Sequence, residues 1–318
     1  MIKQIQELGY SIEKLLTTTH DKSFAELSLD SLNSFEYNLS LEGFEKELSQ
    51  WMVGDSIPNQ LNVYNSFGQP PVTVFNNGKF VVDLYFWMHS DTSIHTHSFS
   101  GAFKVLYGRS LHETYTVKEK ESFSHDVMTT DISRDDVKVL TTGSTQKILP
   151  GDGLCHRVIH LDVPTVTLCI RTVNDLTIPQ WHHFENGLSI LKRELSESIY
   201  KKVFYFQYLL YRNEDEAHAF LKSFILGLET SEVMNLFEQV TGDSIGLEEY
   251  TVETFYNYII EKYQQEKWFS VYEDFCKSVE LYVYPESEEA VDKFMAHATN
   301  TNYPEALAKK IFSKIKSK

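Results

Sequence analysis

Three histidines carry the chemistry that this sequence can offer. His95 and His97 stand two residues apart in the segment IHTH, and His156 follows in LPGDGLCHRVIH, residues 149–160. Neutral imidazole is a common ligand for divalent transition metals. Side chains alternate along a β-strand, so a spacing of two puts both rings of the first pair on one face, within reach of one ion. On a helix the same spacing would splay them apart. An imidazole from a second strand would complete a facial set and leave further coordination positions open.

The surrounding sequence must supply those strands, and three zones of different pattern are visible. In residues 1 to about 57, Ile2, Ile5, Leu8 and Ile12 form one helical stripe, and Leu41, Phe44, Leu48 and Trp51 form another. Residues 58–180 alternate short β-branched and aromatic runs, such as VTVF, FVVDLYFWM, AFKVLYG and TVTLCIRT, with the turn signals NNGK, YGRS, TTGST and PGDG. Many short strands at this spacing predict an antiparallel sandwich or barrel. From 186 to 318 the apolar residues again recur at steps of three and four, beginning with Leu188, Leu191, Leu195 and Ile199, with Gly242, Gly246, Pro285 and Pro304 as punctuation. This predicts an α-helical C-terminal domain.

The order of HxH, a Gly-terminated hydrophobic strand, a PGD turn and a further His is that of the two cupin motifs. The resemblance implies a mainly β cupin (RmlC-like jelly-roll) barrel at 58–180, flanked by the N-terminal helical segment 1–57 and the helical domain 186–318. Within the cupins the segment resembles cysteine dioxygenase and related thiol dioxygenases. The matching residues are Ile94-His95-Thr96-His97, Ser100, Phe103-Lys104-Val105-Leu106, Gly108 and Leu111-His112-Glu113-Thr114. To these add Asn77-Gly78-Lys79-Phe80, Trp87, Cys155-His156-Arg157-Val158 and Pro164-Thr165-Val166-Thr167-Leu168. Many cupins place a Glu ligand shortly after HxH, but residues 98–107 contain no carboxylate, so the set here reads as three histidines. The resemblance implies mononuclear Fe(2+), with Zn, Mn or Ni as alternatives, and O2 and a small molecule as substrates.

The departures from that family are specific. Its Ser-His-Tyr relay falls on Thr167, Cys169 and Arg171, its crosslinking Cys on Ala102, and its carboxylate-binding Arg near Pro70 and Pro71. The metal ligands are retained while the substrate pocket is rebuilt, and no catalytic side chain is identified. By alternation Arg171 points inward, where it either anchors an acidic substrate or pairs with a carboxylate such as Asp83 or Glu113. Tyr85 and Trp87 share a strand face and either wall the pocket or pack as core. His160, Thr167 and Cys169 are candidates to support the metal cage from behind.

Composition narrows the partners. A net charge of -16 and the absence of a basic stripe argue against nucleic acid. Three cysteines without a CxxC argue against a disulfide framework or a zinc ribbon. The charged N-terminus and the lack of a long apolar run predict no membrane association and a cytoplasmic location. The expected function is an iron-dependent oxygenase or oxidase acting on a small, metal-chelating and plausibly acidic substrate. The alternative is a non-oxidative metal- or ligand-binding cupin whose helical domain docks a partner or forms a homodimer.

Overall fold

A computed structural model describes every residue except 20, 55–56, 62–67, 69, 89–91, 174, 176, 242–248, 280–286, 288 and 317–318. Gly242, Gly246 and Pro285 therefore lie outside the described residues. The chain opens with helices α1 (Ile2–Thr18), α2 (Phe24–Ser34) and α3 (Leu41–Met52). Strands follow: β1 (Pro71–Asn76), β2 (Phe80–Trp87), β3 (Ile94–His97), β4 (Gly101–Tyr107), β5 (Ser110–Ser122) and β6 (Val127–Leu140). After them come β7 (Thr145–Ile148), β8 (Gly151–His160), β9 (Thr165–Thr172), β10 (Gln180–His183) and β11 (Leu188–Lys192). Helices α4 (Glu197–Arg212), α5 (Glu214–Leu226), α6 (Thr230–Thr241), α7 (Glu249–Tyr263), α8 (Lys267–Val279), α9 (Ala290–Asn300) and α10 (Glu305–Lys316) complete the described elements. None of the described helices is long and apolar enough to cross a membrane.

Two compact units divide these elements. One comprises Met1–Thr116, Ser133–Pro179 and Tyr282–Lys318, the other Val117–Ile132 and Gln180–Leu281. This differs from a simple three-zone order. Helices α9 and α10 belong with the strands, and the hairpin tip of β5 and β6 belongs with helices α4–α8.

In the first unit, five antiparallel strands form a sheet in the order β1-β2-β9-β4-β7. Its outer face carries Phe80, Val82 and Leu84 of β2, Val166, Leu168 and Ile170 of β9, and Ala102 and Leu106 of β4. These pack against Ile2, Ile5 and Ile12 of α1, Leu32 of α2, and Phe44 and Leu48 of α3. Lys104 shares that outer face but cannot leave its charge buried and bare. Its Nζ donates to the Leu32 and Phe35 carbonyls at 2.9 and 2.6 Å, capping the C-terminal end of α2 where a cation is favoured. Because both faces of the sheet are covered, β2 reads as a nearly continuous apolar run with no clean alternation. At Gly101 a Cβ would meet the Ile170 carbonyl oxygen at 2.0 Å, so the close approach of β4 to β9 requires glycine there.

The second sheet runs β3-β8-β5-β6, with β11 and β10 beyond β6. Residues 110–115 of β5 pair with 160–155 of β8, and this register sorts the side chains. Ser110, His112 and Thr114 share one face with His156, Val158 and His160. Leu111, Glu113 and Tyr115 share the other with Cys155, Arg157 and Ile159. On this second face Leu111, Ile159, Val137 and Leu161 pack against Ala290, Phe294 and Ala298 of α9 and Ile311 and Ile315 of α10.

A buried carboxylate locks that packing. Glu113 is fully buried and accepts from Arg157 Nε at 2.8 Å and from the Tyr115 hydroxyl at 2.6 Å. His297 Nε2 of α9 lies 3.2 Å from it, Arg134 Nε of β6 also 3.2 Å, and the Tyr303 hydroxyl bonds it as well. Arg134 also covers the Tyr303 ring at 4.1 Å. One carboxylate thus ties β5, β6 and β8 to the C-terminal helices.

In the second unit, α4–α8 enclose a core of Val203, Phe206, Leu221, Phe255, Ile259 and Phe269, with Leu188 and Ile190 of β11 and Val127 of β6. Residues 188–195 are not helical as their periodicity predicts. Leu188–Lys192 is a strand between β10 and β6, and the helices begin at Glu197. Leu188 and Ile190 alternate with period two, and the three-residue step from Leu188 to Leu191 is a coincidence in a run too short to arbitrate.

The Glu113 network leads to a stability prediction. The charged partners hold the Glu113 carboxyl far below the usual carboxylate range against the opposing cost of burial. A depressed carboxylate stabilises the fold above its unfolded value, about 4.3, and loses that contribution as pH falls below it. Glu113→Ala should cost about 3–5 kcal/mol by stranding two guanidinium groups. It should also flatten the acid limb of the stability curve, measured by urea unfolding at several pH values. A variant of unchanged stability and pH dependence would contradict the assignment.

Candidate metal centre

The inner faces of the two sheets meet in the first unit, and the three histidines sit there. Strand β3 carries His95 and His97, and His95 lies directly opposite His156 on β8. The pairing then slips, so that His97 faces Gly151. This irregularity lies at the PGDG turn, and such bulges re-aim side chains beside functional sites. The imidazole centroids form a nearly equilateral triangle: 4.7 Å from His95 to His97, 4.7 Å from His95 to His156 and 4.8 Å from His97 to His156. One ring nitrogen of each lies within 4.8 Å of the others, and all three residues are buried.

The surroundings fit a divalent ion. His95 Nδ1 contacts the Ser93 carbonyl at 2.8 Å, so Nδ1 carries the proton and Nε2 is the unprotonated nitrogen that could ligate. His156 Nδ1 contacts His112 Nε2 at 2.8 Å. For His156 Nε2 to serve as a ligand, its Nδ1 must hold the proton and donate to His112, which then carries its own proton at Nδ1. Burial, reinforced by the neighbouring imidazoles, holds His97 and His156 well below the ordinary histidine value. Burial likewise brings His112 down to about 4. His97, His156 and His112 are therefore neutral near pH 7, as metal ligation requires of the first two. A second group of potential ligands, His125, Asp126 and Glu229, is a poorer candidate. There Glu229 pairs with Arg193 at 2.5 Å, and Asp126 accepts from Ser124 and from the Ser231 amide.

The remaining expected site residues line the same interior. On β2 and β9, Val81 faces Arg171, Asp83 faces Cys169 and Tyr85 faces Thr167, so all these side chains share the inner face with Trp87. Arg171 lies inward, as alternation predicts, and its charge is already met. Its Nε donates to Asp83 Oδ2 at 3.0 Å and to the Tyr85 hydroxyl at 3.2 Å, and its Nη2 lies 3.0 Å from Asp83 Oδ2. Tyr85 in turn donates to Asp83 at 3.2 Å. The geometry is that of a structural ion pair, and Glu113, the other proposed partner, faces away on the opposite side of the second sheet. Removing Arg171 would strand a buried carboxylate, at a cost of about 3–5 kcal/mol.

Trp87 stacks on His160 of the second sheet with ring centroids 4.2 Å apart, and within its own sheet donates to the Thr167 hydroxyl at 2.9 Å. His160 contacts Ser110 at 2.9 Å and is brought down to about 3 by burial. Cys169 packs with Phe103, Val105, Leu140 and Ile148, and burial pushes its thiol up to about 12. Phe99 links the two parts of the interior, 4.9 Å from His97 and 5.3 Å from the Arg171 guanidinium.

His112, in contact with His156, is the site residue that motif spacing misses. It belongs to β5, whose partner strand β8 lies some forty residues further along the chain. The one available signal is parity: His112 shares a face with Ser110 and Thr114 in a segment where Leu111 and Tyr115 face the opposite way.

No family model matches the chain, and no curated protein does. Among solved structures, hydroquinone 1,2-dioxygenase PnpCD, in complex with Cd2+ and 4-hydroxybenzonitrile, is 18% identical. Its TM-score is 0.26 over 35% of this chain and 68% of that one. An RmlC-like cupin from Shewanella frigidimarina is 13% identical, with a TM-score of 0.24 over 34% of this chain and 78% of that one. Hydroquinone 1,2-dioxygenase from Sphingomonas sp. TTNP3 is 11% identical, with a TM-score of 0.26 over 46% and 87%. Likenesses of this size decide nothing about activity, and the similarity to cysteine dioxygenase stays a matter of sequence motif.

The His112–His156 contact makes a direct prediction. His112→Phe should keep the fold but release the tautomer and orientation of His156, weakening metal binding about 10–100-fold in a chelator competition. His97→Ala should remove the metal almost entirely, while His125→Ala should leave it in place. Equal affinity in the wild type and His112→Phe would show that the contact does not orient the ligand.

Proposed function

We propose that the chain is a mononuclear non-haem iron oxygenase or oxidase of the cysteine-dioxygenase-like cupin type, with O2 and a small metal-chelating molecule as its substrates. The observation that carries this reading is the buried tripod of imidazoles from His95, His97 and His156, with no carboxylate grouped with it among the described residues. Such a donor set leaves a divalent ion its full charge and several open positions. Iron bound there would supply the redox chemistry with dioxygen. Zn, Mn or Ni would suit the same nitrogens, so metal identity is part of the proposal.

The protein's share of the work is positioning. His95, His97 and His156 would hold the ion, and the Ser93 carbonyl and His112 fix the tautomers of two of them. Trp87, Tyr85, Phe99 and Phe103 form an aromatic wall that keeps water from the inner face. The Asp83–Arg171 pair is net neutral. This favours a substrate whose non-chelating part is uncharged over the acidic one expected from an inward arginine.

A non-oxidative metal- or ligand-binding role is the second reading, and one observation favours it. The inner positions of β9 after the third histidine are Thr167, Cys169 and Arg171. Cys169 is pushed up to about 12 and Arg171 is held by Asp83, so neither offers a proton near neutrality. Metal analysis of anaerobically purified protein, followed by an oxygen-electrode screen of chelating thiols, amines and phenols, separates the two. The proposal expects iron, and substrate-dependent O2 uptake that His97→Ala abolishes. Zinc or nickel with no O2 uptake on any of these compounds would favour the second reading.

A further inference from the structure

The inner face beside the candidate metal cage holds polar atoms that the described residues do not satisfy. Thr73 stands directly opposite Asp83 in the β1–β2 register, and Arg171 reaches Asp83 from β9. All three are buried, at 1%, 1% and 2% exposure. Asp83 Oδ2 takes the bonds from Arg171 Nε and from the Tyr85 hydroxyl. Asp83 Oδ1, Thr73 Oγ1 and Arg171 Nη2 make no hydrogen bond among the described residues. Nη2 lies 3.0 Å from Asp83 Oδ2 without the direction that a hydrogen bond needs. A carboxylate oxygen and a guanidinium nitrogen left bare away from water are costly, so each calls for a partner.

These atoms lie close to the cage. The Arg171 guanidinium is 5.3 Å over the Phe99 ring, and that ring is 4.9 Å from His97. Phe99, Tyr85 and Trp87 border the inner face yet are only partly buried, so a small molecule can reach it past them.

We propose that Thr73, Asp83 and Arg171 form a polar subsite that fixes the non-chelating part of the substrate. The group it takes is neutral and able both to donate and to accept, a hydroxyl or a primary carboxamide. The proposal rests on the reading of the three histidines as a metal cage with a chelating substrate, and adds the chemistry of that substrate's far end. Asp83 Oδ1 accepts, so the group must donate to it. Arg171 Nη2 donates, so the same group must also accept. The Thr73 hydroxyl does either. A carboxylate would set a second anion against Asp83, and an ammonium group a second cation against Arg171. Neither would find a spare opposite charge, because the two residues already neutralise each other. An alkyl group would leave the polar atoms bare, and sites of this kind reject such analogues strongly.

The test is isothermal titration calorimetry, without oxygen, of the metal-loaded full chain with four catechols. They share the chelating oxygens and differ in the group para to one of them: methyl, hydroxymethyl, carboxamide or carboxylate. The hydroxymethyl and carboxamide compounds should bind at least about tenfold tighter than the other two. Thr73→Val, which removes only the hydroxyl, should reduce that advantage about threefold. Asp83→Asn should abolish it, with metal content unchanged in both variants. Should Asp83→Asn fail to fold, Thr73→Val decides. Equal affinity of all four catechols would mean that water meets these atoms, and would overturn the subsite while leaving the cage in place. Tightest binding of the carboxylate, or an advantage that the variants do not move, overturns it as well. If no catechol binds, the chelating-substrate reading falls and the subsite falls with it.

Discussion

The period-two alternation of the β5–β8 pair is the constraint on which the site depends. With Ser110 opposite His160 and Glu113 opposite Arg157, one strand pair builds two different chemistries back to back. Its inner face holds His156, His112 and His160. Its outer face holds Glu113 and Arg157, which fasten the C-terminal helices. A slip of β5 by one residue would turn Glu113 toward the imidazoles and leave Arg157 and Arg134 without it on the outer face. The Glu113 network penalises such a slip heavily, because its ion pairs form in one register only.

The electrostatics follow from that division. The inner face keeps His97, His112, His156 and His160 neutral through desolvation and neutralises Arg171 with Asp83 and Tyr85. The outer face does the reverse, keeping Glu113 ionised by surrounding it with cations and hydroxyl donors. A cage with no formal charge of its own is suited to a divalent ion. The hydrogen bonds that His95 and His156 donate to the Ser93 carbonyl and to His112 Nε2 choose which of their nitrogens can reach that ion.

Much of this was legible in the sequence, for physical reasons. The HxH spacing has only one economical meaning on a strand, and the stripes of α1 and α3 follow from helical periodicity. Arg171 could be placed inward by alternation, and Asp83 could be named among its partners. What could not be read were the features that need register across long separations. The pairing of His112 with His156 depends on the register of β5 against β8, strands separated by some forty residues of sequence. The attachment of α9 and α10 to the strand unit depends on Glu113 meeting His297 and Tyr303, nearly two hundred residues away. The strand at Leu188–Lys192 failed for the opposite reason, since five residues are too few to separate a two-residue from a three-residue rhythm.

X-ray absorption spectroscopy of the anaerobically purified protein tests the central claim most directly, because it reads metal identity and ligand type together. The account predicts an Fe(2+) edge, with three imidazole nitrogens at about 2.0–2.2 Å and water as the only other low-atomic-number ligand. Replacing His97 or His156 with Ala should abolish the signal. A sulfur or carboxylate ligand in the coordination shell, or a full metal complement retained by His156→Ala, would contradict it.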